Sequence, residues 1–281
     1  MTLLEIEDLY VSFPGRGFRA KPVEVLHGVS LEVAAGEAVG LVGESGSGKT
    51  TIGRAVLGLV SPAAGRIRFE GRDITDLRPR ERRALAKDIQ VVFQDPYTSL
   101  NPALTVGEIL AEPLVVQGAT AQDARKRVRE LLDQVGLPSD ASERLPREFS
   151  GGQRQRVAIA RALAPEPKLI VCDEPVSALD LSTQARVLDL LVDIQRRTGV
   201  AYLFISHDLA VVRHISHRVT VLYRGDLVET GPAPVVTSTP EHPYTQRLLL
   251  AAPVADPVRQ RERRERRSQL ATDIVPTTIE S

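Results

Sequence analysis

Short apolar runs alternate with segments of helical period along much of the chain. The runs at 38–43, 169–172 and 201–206 are mostly apolar, which is the pattern of parallel strands buried on both faces. A helical pattern over 52–59 follows the first run, and a second helix is predicted at 184–197, between the other two runs. This alternation predicts an α/β fold built on a parallel sheet.

The first part of the chain predicts a separate, antiparallel sheet. Apolar residues alternate or cluster at 3–11 and 29–33, and the stretch between them is rich in proline and glycine, as loops are. Residues 65–73 have the pattern of a further hairpin. We therefore expect an antiparallel β subdomain beside the parallel core.

A region of helical period interrupts the α/β pattern. It extends from about 96 to 164, and its clearest helices are predicted at 106–116 and 121–135. We interpret it as an inserted α-helical subdomain. The predicted division is one domain over 1–240, with its core at about 1–95 and 165–235 and its helical subdomain at about 96–164, followed by an extension over 241–281.

Composition narrows the class of protein. The chain has 42% hydrophobic and 26% charged residues, as globular proteins do, and its 36 basic and 36 acidic residues balance, so we predict no nucleic-acid partner. The single cysteine, Cys172, lies in an apolar run and is expected to be a small buried hydrophobe. No apolar run reaches the roughly 18 to 20 residues that cross a bilayer, and Glu5, Glu7 and Asp8 are unlike a signal peptide. These features favour a cytoplasmic protein.

The end of the chain is rich in proline and arginine. Six arginines and two glutamates lie between Arg259 and Arg267. Such a segment can bind the phosphates of lipids or RNA, but a solvated charged helix or a disordered end is the simpler interpretation. We therefore assign no site to this tail.

A phosphate-binding loop follows the first buried run. The pattern GxxxxGK followed by Ser or Thr is matched by Gly43, Glu44, Ser45, Gly46, Ser47, Gly48, Lys49 and Thr50. Glycines let backbone N–H groups turn toward phosphate oxygens, and the positive end of the next helix attracts them. Lys49 would neutralise the outer phosphates, and Thr50 offers a hydroxyl to magnesium. A flexible surface loop is the alternative, but the strand before the motif and the helix after it favour nucleotide binding.

Two acidic residues follow the buried run at 169–172. Asp173 and Glu174 are expected at the carboxyl edge of the parallel sheet, where such folds bind their ligands. Neighbouring residues of an extended chain point in different directions, so Asp173 can hold the magnesium shell while Glu174 polarises an attacking water. The pair alone could be a cap or a turn. The phosphate loop upstream favours the catalytic interpretation.

A second anion site is predicted at the start of another helix. Ser150 precedes an apolar helical period at the position of an N-cap, and Gly151 and Gly152 follow it. Each glycine weakens a helix by about 1 kcal/mol relative to alanine, a cost that a simple capped helix does not explain. A phosphate that approaches the bare backbone would explain it.

The segments that carry these residues resemble the ATPases of ABC transporters. FSGGQRQRVAIARAL at 149–163 is similar to their signature, and LIVCDEPVSALD at 169–180 to their second nucleotide motif. The resemblance extends from about Leu3 to Thr239, with the motifs in the family's order. It implies a P-loop NTPase (RecA-like) core with an antiparallel β subdomain and a helical signature subdomain, and ATP and Mg²⁺ as cofactors.

The resemblance assigns further roles. Gln94 matches the family's glutamine loop, which contacts magnesium or water, although an ordinary polar strand end is the alternative. Asp180 matches a loop that crosses the dimer interface, and His207 matches the switch histidine near the terminal phosphate, with a structural histidine as the alternative. Phe13 is similar to the aromatic residue that stacks on adenine, and Tyr10 competes for this role.

The predicted site therefore has three overlapping parts. Catalysis is assigned to Glu174, His207, Gln94 and Lys49, and magnesium to Thr50, Gln94 and Asp173. Nucleotide contacts are assigned to Phe13, Gly43, Glu44, Ser45, Gly46, Ser47, Gly48, Lys49, Thr50, Thr51, Gln94, Ser150, Gly151, Gly152, Gln153 and Asp180.

In this family two ATPase subunits pair head to tail, and each ATP lies between the Lys49 loop of one chain and the Ser150 to Gln153 segment of the other. The resemblance implies a second ABC ATPase subunit, identical or related, two transmembrane permease subunits and an extracytoplasmic substrate-binding protein. It places the chain at the cytoplasmic face of the membrane as a peripheral subunit.

Three segments indicate a branch of the family. They are VVFQDPYTSLNP at 91–102, EPVSALDLSTQARVL at 174–188 and EHPYTQRLLLAAP at 241–253, which resemble the oligopeptide and dipeptide importers, a branch that includes nickel importers. No cysteine cluster follows the last segment, so we predict no iron–sulfur cluster there. We predict peptide import, with nickel import and phosphonate utilisation as alternatives. A soluble ABC ATPase that moves no solute is an alternative of a different class.

Overall fold

The computed structural model describes residues 1–15, 17 and 21–251. The strands are β1 (Thr2–Phe13), β2 (Val23–Ala34), β3 (Ala38–Val42), β4 (Ala64–Phe69), β5 (Arg72–Asp73), β6 (Ile89–Val92), β7 (Leu169–Asp173), β8 (Ala201–Ser206), β9 (Arg218–Tyr223) and β10 (Asp226–Pro232). The helices are α1 (Lys49–Val56), α2 (Pro79–Leu85), α3 (Pro96–Ser99), α4 (Val106–Val116), α5 (Ala121–Gln134), α6 (Gly151–Leu163), α7 (Leu181–Thr198), α8 (Leu209–Ile215), α9 (Ala233–Val236) and α10 (Pro243–Ala251). The predicted arginine-rich tail lies outside the described residues.

A six-stranded sheet forms the centre of the molecule. Its order is β10-β9-β3-β8-β7-β6, in which all neighbours are parallel except β10 and β9. The chain therefore leaves β3, β6, β7 and β8 at the same edge of the sheet. The strands β3 and β8 are buried throughout, and so is β7 up to Asp173, because both faces of the sheet are covered, as their apolar runs predict.

The predicted antiparallel sheet is also present, in the order β2-β1-β4-β5. The start of β2 was predicted wrongly, because the strand begins at Val23 rather than at residue 29. Its first residues do not alternate cleanly, since Val23 is 58% exposed and Gly28 has a φ of 79°. A Cβ at Gly28 would lie 2.8 Å from Tyr10 Oη, so the glycine makes room for the Tyr10 ring.

The helical predictions hold, with one correction at α1. This helix ends at Val56, and Leu59 is 63% exposed instead of continuing the apolar face. Gly58 has a φ of 69°, a left-handed conformation that commonly terminates helices. The helices α4, α5 and α6 follow the predicted pattern, and Thr105, Thr120 and Ser150 cap their N-termini through their side chains.

Two hydrophobic cores lie on opposite faces of the central sheet. Ala38 and Val42 of β3 belong to one core, while Val39 and Leu41 belong to the other, as the two-residue period of a strand requires. The first core includes the apolar faces of α4, α5 and α6, and the second includes the antiparallel sheet. The helical region thus shares its core with the central sheet. No helix within the described ranges is long and apolar enough to cross a membrane.

Candidate functional site at the carboxyl edge of the sheet

The predicted phosphate loop connects β3 to α1 and lies close to the β9–β10 turn. A Cβ at Gly43 would lie 2.1 Å from the carbonyl oxygen of Leu222, so only glycine fits there. Gly46 and Gly48 have φ values of 80° and 109°, which other residues rarely adopt. Ser47 lies before α1, and its N–H donates a 3.2 Å hydrogen bond to the carbonyl oxygen of Glu44, within the loop. The glycine pattern is therefore explained by the shape of this loop.

Lys49 is the first residue of α1 and is only 4% exposed. Its Nζ donates hydrogen bonds of 2.8 Å to the carbonyl oxygens of Gly43 and of Glu44. Burial lowers the pKa of Lys49, against the opposing effect of the negative charges of Glu174, Asp173 and Glu44. The loop therefore holds a desolvated positive charge at the start of a helix, which is a site suited to an anion.

The loop also fits a phosphate by its hydrogen-bonding groups. α1 has no side-chain cap, so its first N–H groups are left for a ligand. Ser47 Oγ is buried and has no hydrogen-bond partner among the described residues, and a bound phosphate would supply one. Ser45 and Gly46 are exposed, and Thr51 is half-buried in the first turn of α1. These features fit the predicted nucleotide.

Thr50 and Asp173 meet across the sheet edge. Thr50 Oγ1 donates a 2.9 Å hydrogen bond to Asp173 Oδ1, although 123 residues separate them. Burial raises the pKa of Asp173, and the hydrogen bond from Thr50 and the charge of Arg54 oppose this effect. Oxygen donors of this kind suit magnesium, which is usually held by one or two carboxylates together with substrate phosphates. No cluster of three or more potential metal-binding side chains occurs in the described part of the chain.

Glu174 follows Asp173 in a conformation that is rare for a residue with a side chain. Its φ is 49°, and its N–H continues the ladder to the carbonyl oxygen of Ile205 at 3.0 Å. Such a conformation costs of the order of 1 kcal/mol or more, and it occurs frequently at functional sites. His207, which follows β8, places Nδ1 3.1 Å from Glu174 Oε2. The structure thus brings the predicted base and the predicted switch histidine into contact.

The remaining predicted nucleotide contacts are more peripheral. Gln94 is exposed and lies just after β6, next to β7 in the sheet. Phe13 ends β1 and is 39% exposed, whereas Tyr10 is 44% exposed and lies against Gly28. The two rings are similarly exposed, so exposure does not decide between them. Stacking by Phe13 remains a prediction.

The signature segment, Ser150–Gln153, forms the start of α6 and its hydrogen bonds are local. Ser150 and Gln153 cap α6 reciprocally, and no hydrogen bond or ion pair joins Ser150–Gln153 to the loop in the ranges that the structure describes. A Cβ at Gly151 would meet only Leu179, at 3.6 Å, but one at Gly152 would lie 2.2 Å from Thr183 Cγ2. Packing on α7 is therefore sufficient to explain the glycine at 152, whereas nothing in the packing explains Gly151. A nucleotide contact of Gly151 and Gly152 stays a prediction.

Asp180 acts within this chain as the N-cap of α7. Its Oδ1 accepts hydrogen bonds from the N–H groups of Ser182 and Thr183, at 3.1 and 3.0 Å, and from Ser182 Oγ at 2.7 Å. Hydrogen bonds from Thr183 and Ser182 lower the pKa of Asp180 strongly. Its predicted position at a dimer interface stays a prediction.

Sequence reasoning missed one residue that touches the site. The Glu44 N–H of the phosphate loop donates a 2.8 Å hydrogen bond to the hydroxyl oxygen of Tyr244, in α10. Tyr244 belongs to the HPYT sequence, which carried a family resemblance but no structural role. Neither its spacing nor its neighbours could have placed it 200 residues away against the loop.

Comparison with known proteins matches the chain to one family. The family model described as ABC transporter matches residues 26–177, which is just over half of the chain. The chain belongs to the ABC transporter family. It is 50% identical, over 99% of its length, to the glutathione import ATP-binding protein GsiA of Shigella boydii serotype 4 and to that of Escherichia coli K12. It spans 45% of the length of each, so it covers about half of these curated relatives.

Solved structures support the fold. The cbiO1 protein of Clostridium perfringens, part of the ABC transporter complex cbiONQ, superposes with a TM-score of 0.76 at 28% identity, covering 85% of this chain and 91% of that one. The ATP-binding cassette MJ0796, solved as a dimer in a post-hydrolysis state with ADP and Pi, gives 0.74 at 30% identity, covering 82% and 99%. The predicted fold class is confirmed.

Proposed function

We propose that this chain binds MgATP at the carboxyl edge of its parallel sheet and hydrolyses it as the motor subunit of an ABC importer for short peptides. The observation that carries the ATPase proposal is the convergence of residues from three parts of the chain. Lys49 and Thr50 lie in α1, Asp173 and Glu174 at the end of β7, and His207 directly after β8. Lys49 is buried, Thr50 bonds to Asp173, and Glu174 contacts His207.

The proposed chemistry assigns each group one task. Glu174 accepts a proton from the attacking water, and His207 orients the Glu174 carboxylate through their hydrogen bond. Lys49 keeps its positive charge beside the outer phosphates, where charge develops. Thr50, Asp173 and Gln94 would hold magnesium, which when bound neutralises phosphate charge and fixes the terminal group in line for attack.

A second motor subunit completes the proposed site. The signature residues Ser150–Gln153 form a self-contained helix start with an open approach at Gly151, and they do not bond to the phosphate loop of their own chain. A helix N-terminus that faces outward can contact the nucleotide held by another chain. The dimeric MJ0796 cassette with ADP and Pi supports this arrangement by similarity.

The transport proposal rests on sequence similarity across the whole chain. The GsiA proteins are named for glutathione import, and glutathione is itself a short peptide, which agrees with the predicted peptide branch. We propose that the chain acts at the cytoplasmic face of the membrane, with two permease subunits and an extracytoplasmic binding protein. The cargo would contact those partners and not this chain.

An apolar groove beside Gln94 suits a permease segment. It encloses about 260 Å³ between the end of α1, α2 and β6. Its walls include the exposed Leu59 and the residues Val91 and Phe93, which lie just before Gln94. We propose that a helix of a permease subunit binds in this groove and is displaced when Gln94 moves during the ATP cycle.

The substitution Glu174→Gln tests the ATPase proposal. Because glutamine cannot accept the proton but keeps nearly the same shape, we expect hydrolysis to fall about a hundred- to ten-thousandfold with ATP affinity retained. Purified chain would be assayed for phosphate release and for equilibrium binding of ATP. Glu24→Gln, on the exposed side of β2, is the matched control and should hydrolyse normally. Near-normal turnover in Glu174→Gln would exclude this base.

Transport is tested in cells by uptake. A deletion strain would be supplied with isotope-labelled glutathione or dipeptides, and we expect import to fail and to return with the intact gene but not with the Glu174→Gln gene. Co-purification with hydrophobic membrane subunits should accompany the restored uptake. Unchanged uptake of all peptides, with no membrane subunit bound, would favour a soluble ABC ATPase instead.

A further inference from the structure

The segment after β10 returns to the phosphate loop and touches it at one peptide group. Tyr244 is 1% exposed, and its hydroxyl oxygen accepts the 2.8 Å hydrogen bond from the Glu44 N–H. Glu44 is the second residue of the loop pattern. The contact joins α10 to the start of the nucleotide motif, although 200 residues separate Glu44 from Tyr244.

The same peptide group is held from its other side by Lys49. The Glu44 N–H and the Gly43 carbonyl belong to one peptide plane, which is rigid. Lys49 Nζ donates to Gly43 O at 2.8 Å, while Tyr244 accepts from the N–H of that plane. Two hydrogen bonds to one amide group polarise it and strengthen each other. Tyr244 therefore acts on the same plane that positions the lysine ammonium.

Tyr244 is itself firmly placed. Its ring lies on Tyr223, at the end of β9, with a centroid distance of 4.1 Å and an interplanar angle of 35°. The carboxylate of Glu229, in β10, accepts hydrogen bonds from the N–H groups of Glu241 and His242, at 2.9 and 3.2 Å, just before α10. The hydroxyl is thus presented to the loop by a packed ring and an anchored backbone.

The β9–β10 hairpin adds a second contact to the loop. The Gly225 N–H donates a 3.0 Å hydrogen bond to the Ser47 carbonyl oxygen, and Leu222 lies against Gly43. Tyr223, between them in the chain, carries the Tyr244 ring. The hairpin and α10 therefore brace the loop at both of its ends, at Gly43–Glu44 and at Ser47.

We propose that Tyr244 is a positioning residue for nucleotide binding, which fixes the Gly43–Glu44 peptide plane and, through it, the Lys49 ammonium. The proposal rests on the proposed ATP binding. Because Tyr244 already restricts this peptide plane before nucleotide binds, less conformational freedom is lost when the phosphates bind. Tyr244 therefore increases ATP affinity. It does not touch the attacking water, so it leaves the chemical step nearly unchanged.

The substitution Tyr244→Phe tests the proposal, because it removes the hydroxyl and keeps the stacked ring. We expect ATP to bind about three- to tenfold more weakly, as for the loss of one hydrogen bond, with kcat at saturating ATP changed less than about twofold. Hydrogen exchange of the Glu44 amide, measured without nucleotide, should accelerate by a similar factor.

Tyr202→Phe is the matched control. Tyr202 is also fully buried, and its hydroxyl donates a 3.1 Å hydrogen bond to the Leu191 carbonyl oxygen, which is a contact of β8 with α7. This variant should lose thermal stability as Tyr244→Phe does and yet bind ATP normally. A readout of stability alone would not separate the two variants, but ATP affinity does.

Two results would overturn the proposal. One is normal ATP affinity and unchanged Glu44 amide exchange in Tyr244→Phe, and the other is an equal loss of affinity in Tyr202→Phe. If the unmodified chain bound no ATP at all, the proposed function would fail instead. The exchange rate of the nucleotide-free loop would then still decide whether Tyr244 holds the peptide plane.

Discussion

The phosphate loop and the signature segment both start a helix with glycines, but they are built differently. α1 begins after Gly48 without a side-chain cap, whereas α6 begins after Ser150 with a complete capping box. The Ser150 N–H donates to Gln153 Oε1 at 2.9 Å, so this helix start satisfies part of its own backbone. At the phosphate loop, no side chain caps α1, and its first N–H groups are left for a ligand.

The two segments also differ in what holds them. The phosphate loop is fixed by contacts from distant parts of the chain, among them Asp173, Tyr244 and Gly225. The signature residues bond mainly to each other over three or four residues, and Gly152 packs on Thr183 of α7. The difference agrees with the proposal that the first segment binds a nucleotide within one chain and the second contacts a nucleotide held by another chain.

The largest effect is expected at Lys49. Lys49→Ala removes the buried ammonium and leaves the carbonyls of Gly43 and Glu44 without their donor. Because bonds to charged groups are the strong ones, we expect ATP affinity of the single chain to fall about a hundredfold or more. Equilibrium binding with a fluorescent ATP analogue measures this.

Lys168→Ala is the control for that variant. Lys168 lies just before β7, at the opposite edge of the sheet from the site, and pairs with Glu70 and Asp88 on the surface. Its loss should leave ATP binding unchanged. If both alanine variants bound ATP normally, the phosphate loop would not be the nucleotide site. The contrast drawn between this loop and the signature segment would then be wrong.

Gly151→Asp separates the two segments. A Cβ at this position meets only Leu179, at 3.6 Å, and a carboxylate in the first turn is favourable for a helix, so the fold should survive. The added negative charge repels a phosphate brought by another chain. We expect the single chain to bind ATP normally, while ATP-driven pairing and turnover fall about a hundredfold. Light scattering and phosphate release measure the two effects.

The neutral variant Gly151→Asn is the control, because it has almost the same shape. It should retain far more pairing than Gly151→Asp. Equal loss in both variants would assign the effect to the side chain's volume, and unchanged pairing in both would contradict a signature contact with the nucleotide.

Much of the fold could be predicted because short buried strands have an unbroken apolar pattern. The runs at 38–43, 169–172 and 201–206 correspond to β3, β7 and β8, and the order of parallel strands then brings their carboxyl ends to one edge. Asp173 and Glu174 could be predicted for the same reason, since they directly follow such a run, and Lys49 could be predicted from the glycine-rich pattern that follows the first run. The domain division proposed from the sequence stays a prediction.

Other features depend on contacts that no local pattern contains. The conformation of Glu174, at a φ of 49°, and its contact with His207 are set by the register of β7 against β8. The contact of Tyr244 with the loop requires the path of the chain after β10. Gly152 costs helix stability, and Thr183 of α7 occupies the space of its missing side chain. No sequence pattern reveals this packing reason, and the predicted nucleotide contact of Gly152 stays a prediction.

The smallest effect is expected at Gly152, and it tests that packing explanation. Gly152→Ala places a methyl group 2.2 Å from Thr183 Cγ2, so either the Thr183 side chain or the two helices must shift. Overpacking of this kind typically costs about 1 to 3 kcal/mol. Thr183→Ser removes the clashing methyl and keeps the hydroxyl, so Gly152→Ala in that background should lose much less. Urea unfolding of the four proteins gives the coupling energy between the two sites. Two additive, near-zero changes in stability with a loss of ATP-driven pairing would instead restore a nucleotide contact as the reason for Gly152.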